Sequence, residues 1–192
     1  VVEKVVRMDK PAQSFSIEAA PDATQVELDP DARLLRRLGP GEAPPILRDV
    51  LFDPTATLLI LGDASFGEVA QRLADSLLER AADVALPPAA PGKEALMVIG
   101  TDGMIDSWLA RHALPARPAE ITAADVAVWT LLPEHGKPIA VISARDTAAL
   151  ETAARPLPHY GRQSWLAIEG GKVSRKGLWP FRPQSVTVLP GS

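Results

Sequence analysis

The sequence predicts an α/β protein: a three-layer, Rossmann-like or flavodoxin-like domain with a mixed sheet, preceded by a short β-strand appendage. Two repeats of a buried strand followed by an amphipathic helix predict the layers. Two strand pairs whose connections are too short for a crossover helix predict the antiparallel part of the sheet. We expect the appendage and a linker in residues 1–53 and the α/β domain in residues 54–192.

Composition limits the classes of function. The 192 residues are 46% hydrophobic, so the chain can bury a substantial core. A net charge of -4 with scattered Lys and Arg gives no basic stripe, so no nucleic-acid partner is expected. No apolar run approaches the roughly 20 residues of a membrane-spanning helix.

Composition does not determine the cellular compartment of the protein. The chain has no cysteine, which excludes disulfides and thiolate chemistry. No signal peptide opens the sequence, and a first residue of Val1 instead of Met indicates a fragment or a processed product. We expect a soluble protein of the bacterial cytoplasm or periplasm.

The appendage contains three predicted strands, at residues 2–8, 13–18 and 24–28, each with some apolar alternation. Their single apolar face requires another sheet or a helix to cover it. Residues 29–38 then leave the strands, residues 39–45 form a Gly/Pro linker, and a short helix is predicted after Pro45.

The first α/β unit occupies residues 57–79. An apolar run at 58–61 predicts a buried strand, and the S-x-x-E spacing of Ser65 and Glu68 predicts a capping box with the helix beginning near Phe66. The spacing of the apolar residues predicts one buried helix stripe. Its members are Val69, Ala70, Leu73, Ala74 and Leu77.

The remaining elements follow in order. A second strand (95–100) precedes a helix whose stripe is Met104, Ile105, Trp108 and Leu109. Strands at 126–131 and 139–143 predict an antiparallel pair. The S-x-x-D spacing of Ser143 and Asp146 predicts a third helix, with a stripe of Ala149, Leu150, Ala153 and Ala154. Strands at 164–168 and 173–179, around Gly170 and Gly171, predict a terminal hairpin.

Two strand-to-helix turns, at 62–65 and 100–102, are the candidate ligand-binding positions. The first resembles a nucleophile elbow with one residue too many before Ser65, for which helix capping is the favoured role. Glu68 and Val69 stand where a phosphate-binding loop needs Lys and Ser or Thr, and no G-x-G-x-x-G follows Gly100, so no cofactor is predicted. The candidate residues are Gly62, Asp63, Ser65, Thr101 and Asp102.

The three histidines, His112, His135 and His159, lie too far apart for a zinc motif, and H-E-x-x-H is absent. No metal site and no catalytic residue are therefore predicted. We interpret His159, Tyr160 and Gly161 as a structural or interface clamp between the third helix and the last strand pair, in which Gly161 lets the chain turn.

Three stretches carry a family resemblance. Residues 5–38, through Pro21, Val26, Leu28 and the D-P-D at 29–31, resemble the tail of the β-sandwich domain that follows the catalytic domain in bacterial aminopeptidase N-type proteins, the gluzincin zinc metallopeptidases. Residues 157–172 and 176–180 resemble an α/β extension at the C-terminus of some of these proteins. The family's zinc motif has no counterpart here, so the resemblance transfers no catalytic residue.

The resemblance implies a noncatalytic C-terminal accessory domain with a structural, assembly or substrate-access role. Its partner would be an N-terminal peptidase-like domain of the same protein, and a homo-oligomer is a further expectation. The alternative is a small-ligand-binding or enzymatic Rossmann-like domain that uses the turns at 62–65 and 100–102.

Overall fold

The structure, a computed structural model, describes residues 2–10, 12–18, 20–39, 41–85, 92, 94–133 and 136–187. It consists of two compact units. The α/β unit extends from Ala43 to Pro180, and the second unit combines the residues up to Glu42 with those from Phe181 onward. The predicted boundary after Asp53 therefore differs from the observed one, and the C-terminal residues do not belong to the α/β unit.

The α/β unit contains four helices and seven strands among its described residues. The helices are α1 (Leu47–Leu51), α2 (Ala64–Leu78), α3 (Asp102–Arg111) and α4 (Thr147–Ala153), and 3-10 helices occur at Ala119–Ile121 and Leu157–Tyr160. With β1 (Gln25–Leu28) in the second unit, the strands are β2 (Thr57–Leu61), β3 (Asp83–Val84), β4 (Leu96–Thr101), β5 (Val126–Leu131), β6 (Ile139–Ala144), β7 (Trp165–Glu169) and β8 (Lys172–Gly177).

The sheet is mixed, as predicted. Its strand order is β3-β2-β4-β6-β5-β7-β8. β3, β2, β4 and β6 are mutually parallel, and β5 pairs antiparallel with both β6 and β7. β8 completes the terminal hairpin, where Gly170 and Gly171 have φ of 54° and 72°. Both predicted hairpins are confirmed.

Helices cover both faces of the sheet, which confirms the three-layer architecture. Alternate residues of β4 enter different cores: Met97 and Ile99 pack with α1, α2 and α4, whereas Leu96 and Val98 pack with α3. Because successive strand residues point to opposite faces, a strand covered on both sides is apolar throughout. We call these faces the α2 face and the α3 face.

The predicted helix stripes are largely buried. All five stripe residues of α2 are in the core, as are Ile105, Trp108 and Leu109 of α3. Met104 is instead 47% exposed, and Ala154 lies exposed just beyond the end of α4. Both corrections concern residues at the margin of an apolar stripe, where the helix surface turns toward solvent.

Two of the three strands predicted in the appendage are wrong. Residues 2–8 and 13–18 form no strand, because they pair with no other described segment. The third forms as β1, which pairs antiparallel with β9 (Gln184–Thr187) in a two-stranded ribbon. Asp29 then ends β1 by accepting the backbone N–H of Arg33 at 2.7 Å.

The segment after Glu42 belongs to the α/β unit because α1 is part of its core. Leu47 and Val50 are buried in the α2-face core. The first helix amides, of Leu47 and Arg48, donate to the carbonyl oxygens of Gln163 and Gly161 at 3.0 and 2.8 Å. These contacts satisfy two amides that a short helix leaves unpaired.

Asp53 provides a prediction for acid stability. Its carboxylate accepts Lys137 Nζ at 2.7 Å and the hydroxyl and N–H of Thr55 at 2.7 and 2.9 Å. These bonds, the one from Lys137 foremost, lower the pKa of Asp53 to about 2. Because the folded pKa is below the unfolded one, this contribution is complete above about pH 4 and is lost as the pH falls toward about 2.

We therefore expect Asp53→Asn to be less stable than the native chain at neutral pH, by about 1 kcal/mol. We also expect this difference to shrink as the pH falls to about 3, because Asp53 of the unfolded chain, with its ordinary pKa of about 4, is then largely protonated while the folded carboxylate is not. Urea unfolding of both proteins at the two pH values measures it. A constant difference between the two proteins would show that Asp53 does not titrate in this range.

Candidate functional site

The candidate ligand-binding residues lie at one edge of the sheet. β2 and β4 are adjacent and parallel, with Leu61 opposite Gly100, so both strands end at the same edge. Gly62, Asp63 and Ser65 follow β2, and Thr101 and Asp102 form the junction of β4 with α3. β6 is the next parallel strand, so its end meets this C-terminal edge of the sheet as well. Ligands of open α/β folds bind at this kind of edge.

The side chain of Asp63 starts α2. Its Oδ1 atom accepts the N–H of Phe66 at 2.9 Å and the hydroxyl of Ser65 at 2.9 Å. The bond from Phe66 N–H, followed by that from Ser65, lowers the pKa of Asp63. The predicted Ser65–Glu68 capping box is therefore wrong, and α2 begins at Ala64 instead of near Phe66. A carboxylate favours the N-cap because it adds its negative charge to the positive end of the helix.

We predict that Asp63→Ala lowers the free energy of unfolding by about 1 kcal/mol, within the usual range for N-cap removal. Ser65→Ala should have a smaller effect, because it removes only one exposed hydrogen bond to the cap. Asp63→Asn is the matched control, since asparagine is also a good N-cap. Chemical denaturation at neutral pH distinguishes these variants, and a larger loss for Ser65→Ala than for Asp63→Ala would contradict the assignment.

Asp102 belongs to a polar cluster that joins β4, α3 and β6. We call Asp102, Asp106, Arg117 and Ser143 the Arg117 cluster. Arg117 donates to Asp102 Oδ1 at 2.7 Å, to Ser143 Oγ at 2.9 Å and to Asp106 Oδ1 at 3.2 Å. The Ser143 hydroxyl donates to Asp102 Oδ1 at 2.5 Å. Arg117 also lies over the buried ring of Trp129, with 5.8 Å from its guanidinium carbon to the ring centroid.

Burial differs within the Arg117 cluster. Ser143 is fully buried and the Arg117 side chain is only 8% exposed. A serine nucleophile needs access to substrate and an adjacent base, and no histidine contacts Ser143 in the described part of the chain. Asp102 Oδ1 accepts from both Arg117 and Ser143. The contacts of the cluster therefore connect β4, α3 and β6.

Close packing fills the two turns. A methyl group on Gly62 would lie 2.5 Å from the Phe66 ring, and one on Gly100 would lie 2.8 Å from Leu61 Cβ. These glycines therefore make room for neighbouring side chains.

The two candidate turns remain separate, since no hydrogen bond or ion pair among the described residues joins Asp63 or Ser65 to Thr101 or Asp102. Thr101 is the N-cap of α3 without a side-chain capping bond.

Sequence patterns did not identify most of the Arg117 cluster. The S-x-x-D spacing predicts Ser143 at the start of the third helix, but Ser143 lies within β6. Asp146 is instead the N-cap of α4, where it accepts the N–H of Ala149 at 2.8 Å. The one available signal was the i, i+4 spacing of Asp102 and Asp106, which places two carboxylates on one helix face. Arg117 lies in an irregular connection, where no periodicity constrains its direction.

The histidines provide no acid–base pair. His159 is exposed, whereas His112 is stacked on Trp108 with ring centroids 5.2 Å apart. His112 Nε2 is buried and has no hydrogen-bond partner among the described residues, so its ring does not serve the last carbonyls of α3. His135 lies outside the described residues.

The 157–161 segment packs against the α/β core as a 3-10 helix followed by Gly161. Tyr160 is half-buried against the α2-face core, and Lys176 Nζ lies 4.9 Å from its ring centroid. Gly161 has an ordinary φ of −55°, so the turn does not require glycine, and its role is to accept the Arg48 amide. These contacts involve Tyr160 and Gly161 but not the exposed His159, and the interpretation of residues 159–161 as a clamp stays a prediction.

Comparison with known proteins gives this chain no relative: neither a scan against protein-family models nor a search of curated proteins found a match. No helix in the described part of the chain is long and apolar enough to cross a membrane. The described residues also contain no group of three or more His, Cys, Asp or Glu that could hold a metal ion. Its function is therefore inferred from its own residues and contacts.

Proposed function

We propose that this chain is a noncatalytic accessory region of a metallopeptidase-like protein, docked onto a preceding peptidase-like domain through its N-terminal segment. The docked region would support assembly or substrate access of the peptidase. Two kinds of support come from the chain itself. The first is that Asp63, Ser65 and Asp102 at the C-terminal edge of the sheet make internal hydrogen bonds, and the second is the distribution of exposed apolar residues.

The polar groups at this edge are occupied by internal contacts. Asp63 caps α2, Ser65 bonds to Asp63, and Asp102 bonds to Arg117 and Ser143. These arrangements favour a structural role for the edge.

Exposed apolar side chains are concentrated in residues 2–38, and this observation carries the proposal. Among the described residues, ten large hydrophobic residues are exposed there, against four in the α/β unit. A two-stranded ribbon has too little core to be stable by itself, and a concentration of exposed apolar residues marks an interaction surface. The ten are Val2, Val5, Met8, Phe15, Ile17, Val26, Leu28, Leu34, Leu35 and Leu38.

The test begins with the complete reading frame, in which we expect an upstream domain with an H-E-x-x-H motif. Amide hydrogen exchange is then compared between the encoded protein and the present chain. Residues 2–38 should exchange more slowly in the longer protein, because docking covers them. The segment around Phe52, whose side chain is 68% exposed in the α/β unit, is the internal control and should not change.

A substitution pair sharpens the test. Phe15→Ser with Ile17→Ser should restore fast exchange in residues 2–38 of the longer protein, while Phe52→Ser should not. The present chain should also contain no stoichiometric zinc after purification. A reading frame without a peptidase-like domain, equal exchange in both proteins, or one bound zinc per chain would contradict the proposal.

A small-ligand site is the second candidate, because the turns after β2 and β4 lie at a topological switch point. α2 packs on one face of the sheet and α3 on the other, so the helices that follow these adjacent parallel strands diverge. Such points bind ligands in many open α/β folds. The filled turns at Gly62 and Gly100 argue against a deep crevice here.

Thermal unfolding with NAD, FMN, ATP and S-adenosylmethionine tests this second candidate. A ligand present at about 100 times its dissociation constant stabilises the protein by about 2.7 kcal/mol, which raises the midpoint by several degrees. We expect no such shift. A reproducible shift that Gly100→Val abolishes would favour ligand binding over the accessory role.

A further inference from the structure

β8 is an edge strand of the seven-stranded sheet, and a β-bulge shapes it. Val173 is paired with Ile168 and Arg175 with Ala167, so Ser174 is the extra residue. Strand residues three apart normally point to opposite faces. Because of the bulge, Val173 and Lys176 instead share the α2 face, where their partners Ile168 and Leu166 are buried.

A pocket of about 370 Å³ runs along this strand. It is lined by Val173, Ser174, Arg175 and Lys176 of β8 and by the residues Tyr160 and Trp165. The pocket thus combines aromatic and aliphatic surface with two cationic side chains. It lies beside the backbone of a strand that has one paired neighbour only, so main-chain and side-chain recognition can act together at this place.

The β8 edge strand is basic although the protein as a whole is acidic. Lys172, Arg175 and Lys176 are exposed within six consecutive residues, while the chain has a formal net charge of -4. Glu169 offsets Arg175 with an ion pair of 3.2 Å. Lys172 makes no ion pair with a described acidic residue, and Lys176 contacts the Tyr160 ring, so at least two positive charges remain available to a partner.

From these observations we propose that β8 binds an extended, acidic peptide segment of a partner protein by strand addition. The segment pairs with the open backbone edge, its carboxylates lie near Lys172 on one face of the strand and Lys176 on the other, and one of its apolar side chains enters the pocket beside Tyr160. This binding is independent of the accessory role proposed above, since it uses a different unit of the chain from residues 2–38.

Charge selects the occupant. Two β8 edges from separate copies would place like charges opposite each other, which is unfavourable, and lysines on an edge strand are a common barrier to such self-pairing. An acidic strand reverses the sign of this interaction. A nucleic acid also carries negative charge and can accept backbone N–H groups, but it cannot continue the alternating N–H and C=O ladder of a strand edge, which favours the peptide.

The probe is a fluorescein-labelled peptide of about ten residues that carries Glu on both faces of an extended strand, with Val at other positions and one central Phe, long enough to span β8. Its binding to the intact chain is measured by fluorescence anisotropy. We expect saturable binding that weakens as salt is added. Lys172→Glu with Lys176→Glu should reduce affinity about tenfold or more, whereas Lys10→Glu, at an exposed position outside the α/β unit, should change it less than about twofold.

Two controls separate strand addition from simple charge attraction. The same peptide with alternate backbone nitrogens methylated keeps its charge but cannot pair as a strand, so it should bind at least about tenfold more weakly. Hydrogen exchange of residues 172–177 should slow when the unmodified peptide binds. Exchange and far-UV circular dichroism of the free double variant establish that it is folded.

Several results would overturn the proposal. One is that the acidic peptide fails to bind saturably, and another is that its methylated form binds equally well. A third is that peptide binding slows hydrogen exchange only outside residues 172–177, and a fourth is that the folded double variant binds with undiminished affinity. Tighter binding of a single-stranded oligonucleotide of similar length, lost in the same variant, would assign the edge to nucleic acid instead.

Discussion

Arg117→Ala is expected to lower the free energy of unfolding by about 2–4 kcal/mol, as for the loss of one member of a largely buried ion pair. The substitution removes the donor that lies between Asp102, Asp106 and Ser143. It also removes the cation over Trp129. The fully buried Ser143 hydroxyl would keep only its bond to Asp102, whose charge would then lack its partner.

Urea unfolding followed by tryptophan fluorescence measures this loss, because Trp129 lies beneath Arg117 and reports on the same core. Arg155→Ala is the matched control, since Arg155 is exposed in the turn after α4 and its removal should change stability by less than about 0.5 kcal/mol. Arg117→Lys should be intermediate, because an ammonium keeps the charge but lacks the planar fork.

A double variant distinguishes a network from independent contacts. Arg117→Ala combined with Asp102→Ala should destabilise by less than the sum of the two single substitutions, because each removes the same ion pair. Additive effects, or a loss below about 1 kcal/mol for Arg117→Ala, would mean that the cluster does not hold β4, α3 and β6 together.

The elements that depend on local pattern were predictable. The apolar run at 58–61 and the stripe of α2 specify a strand and a helix within one short stretch, and both are observed. The hairpin between β7 and β8 follows from Gly170 and Gly171, whose positive φ the turn uses. In these cases the residues that determine the structure are neighbours in sequence, so the periodicity contains the necessary information.

The appendage was not predictable in the same way, because a strand forms only when its backbone finds a partner. Phe15 and Ile17 alternate with polar residues, yet the described structure provides no strand beside them and both are exposed. The partner of β1 is β9, which is more than 150 residues away in sequence and carries no strong strand signal. Alternation indicates which face could be buried, but it does not specify what covers that face.

The errors at the C-terminal edge of the sheet arose from competing local interactions. Asp63 and Ser65 can both cap a helix, and their order in the chain does not show which side chain becomes the N-cap. In the structure the charged Asp63 is the N-cap. The Arg117 cluster unites residues 102, 117 and 143, which no spacing rule connects. Tertiary structure decides such contacts, so the sequence indicated the edge but not its internal bonding.

Phe66→Ala should be the most destabilising single change at the first turn, lowering the free energy of unfolding by about 3–5 kcal/mol. The Phe66 side chain is 1% exposed and lies in the α2-face core. Its truncation leaves a cavity between α2 and the sheet. Thermal or urea unfolding measures the loss, and far-UV circular dichroism establishes that the variant is still folded.

The partner substitution is Gly62→Ala, and the pair of variants tests why glycine occupies this turn. The new methyl group would lie 2.5 Å from the Phe66 ring, and φ of Gly62 is outside the left-handed region, so the clash is the main penalty. We expect a loss of about 1–3 kcal/mol from this overpacking. In the Phe66→Ala background the same methyl group has room, so there Gly62→Ala should cost little or restore some stability.

The coupling between these two substitutions separates a packing glycine from a ligand-binding one. If Gly62 is needed only to admit the Phe66 ring, most of its effect disappears once that ring is removed. If the glycine instead serves a ligand that approaches the backbone, Gly62→Ala should leave the stability of the free protein nearly unchanged in both backgrounds. Additive losses of about 1 kcal/mol or more in both backgrounds would contradict each of these explanations, because they would place the clash with an atom other than the Phe66 ring.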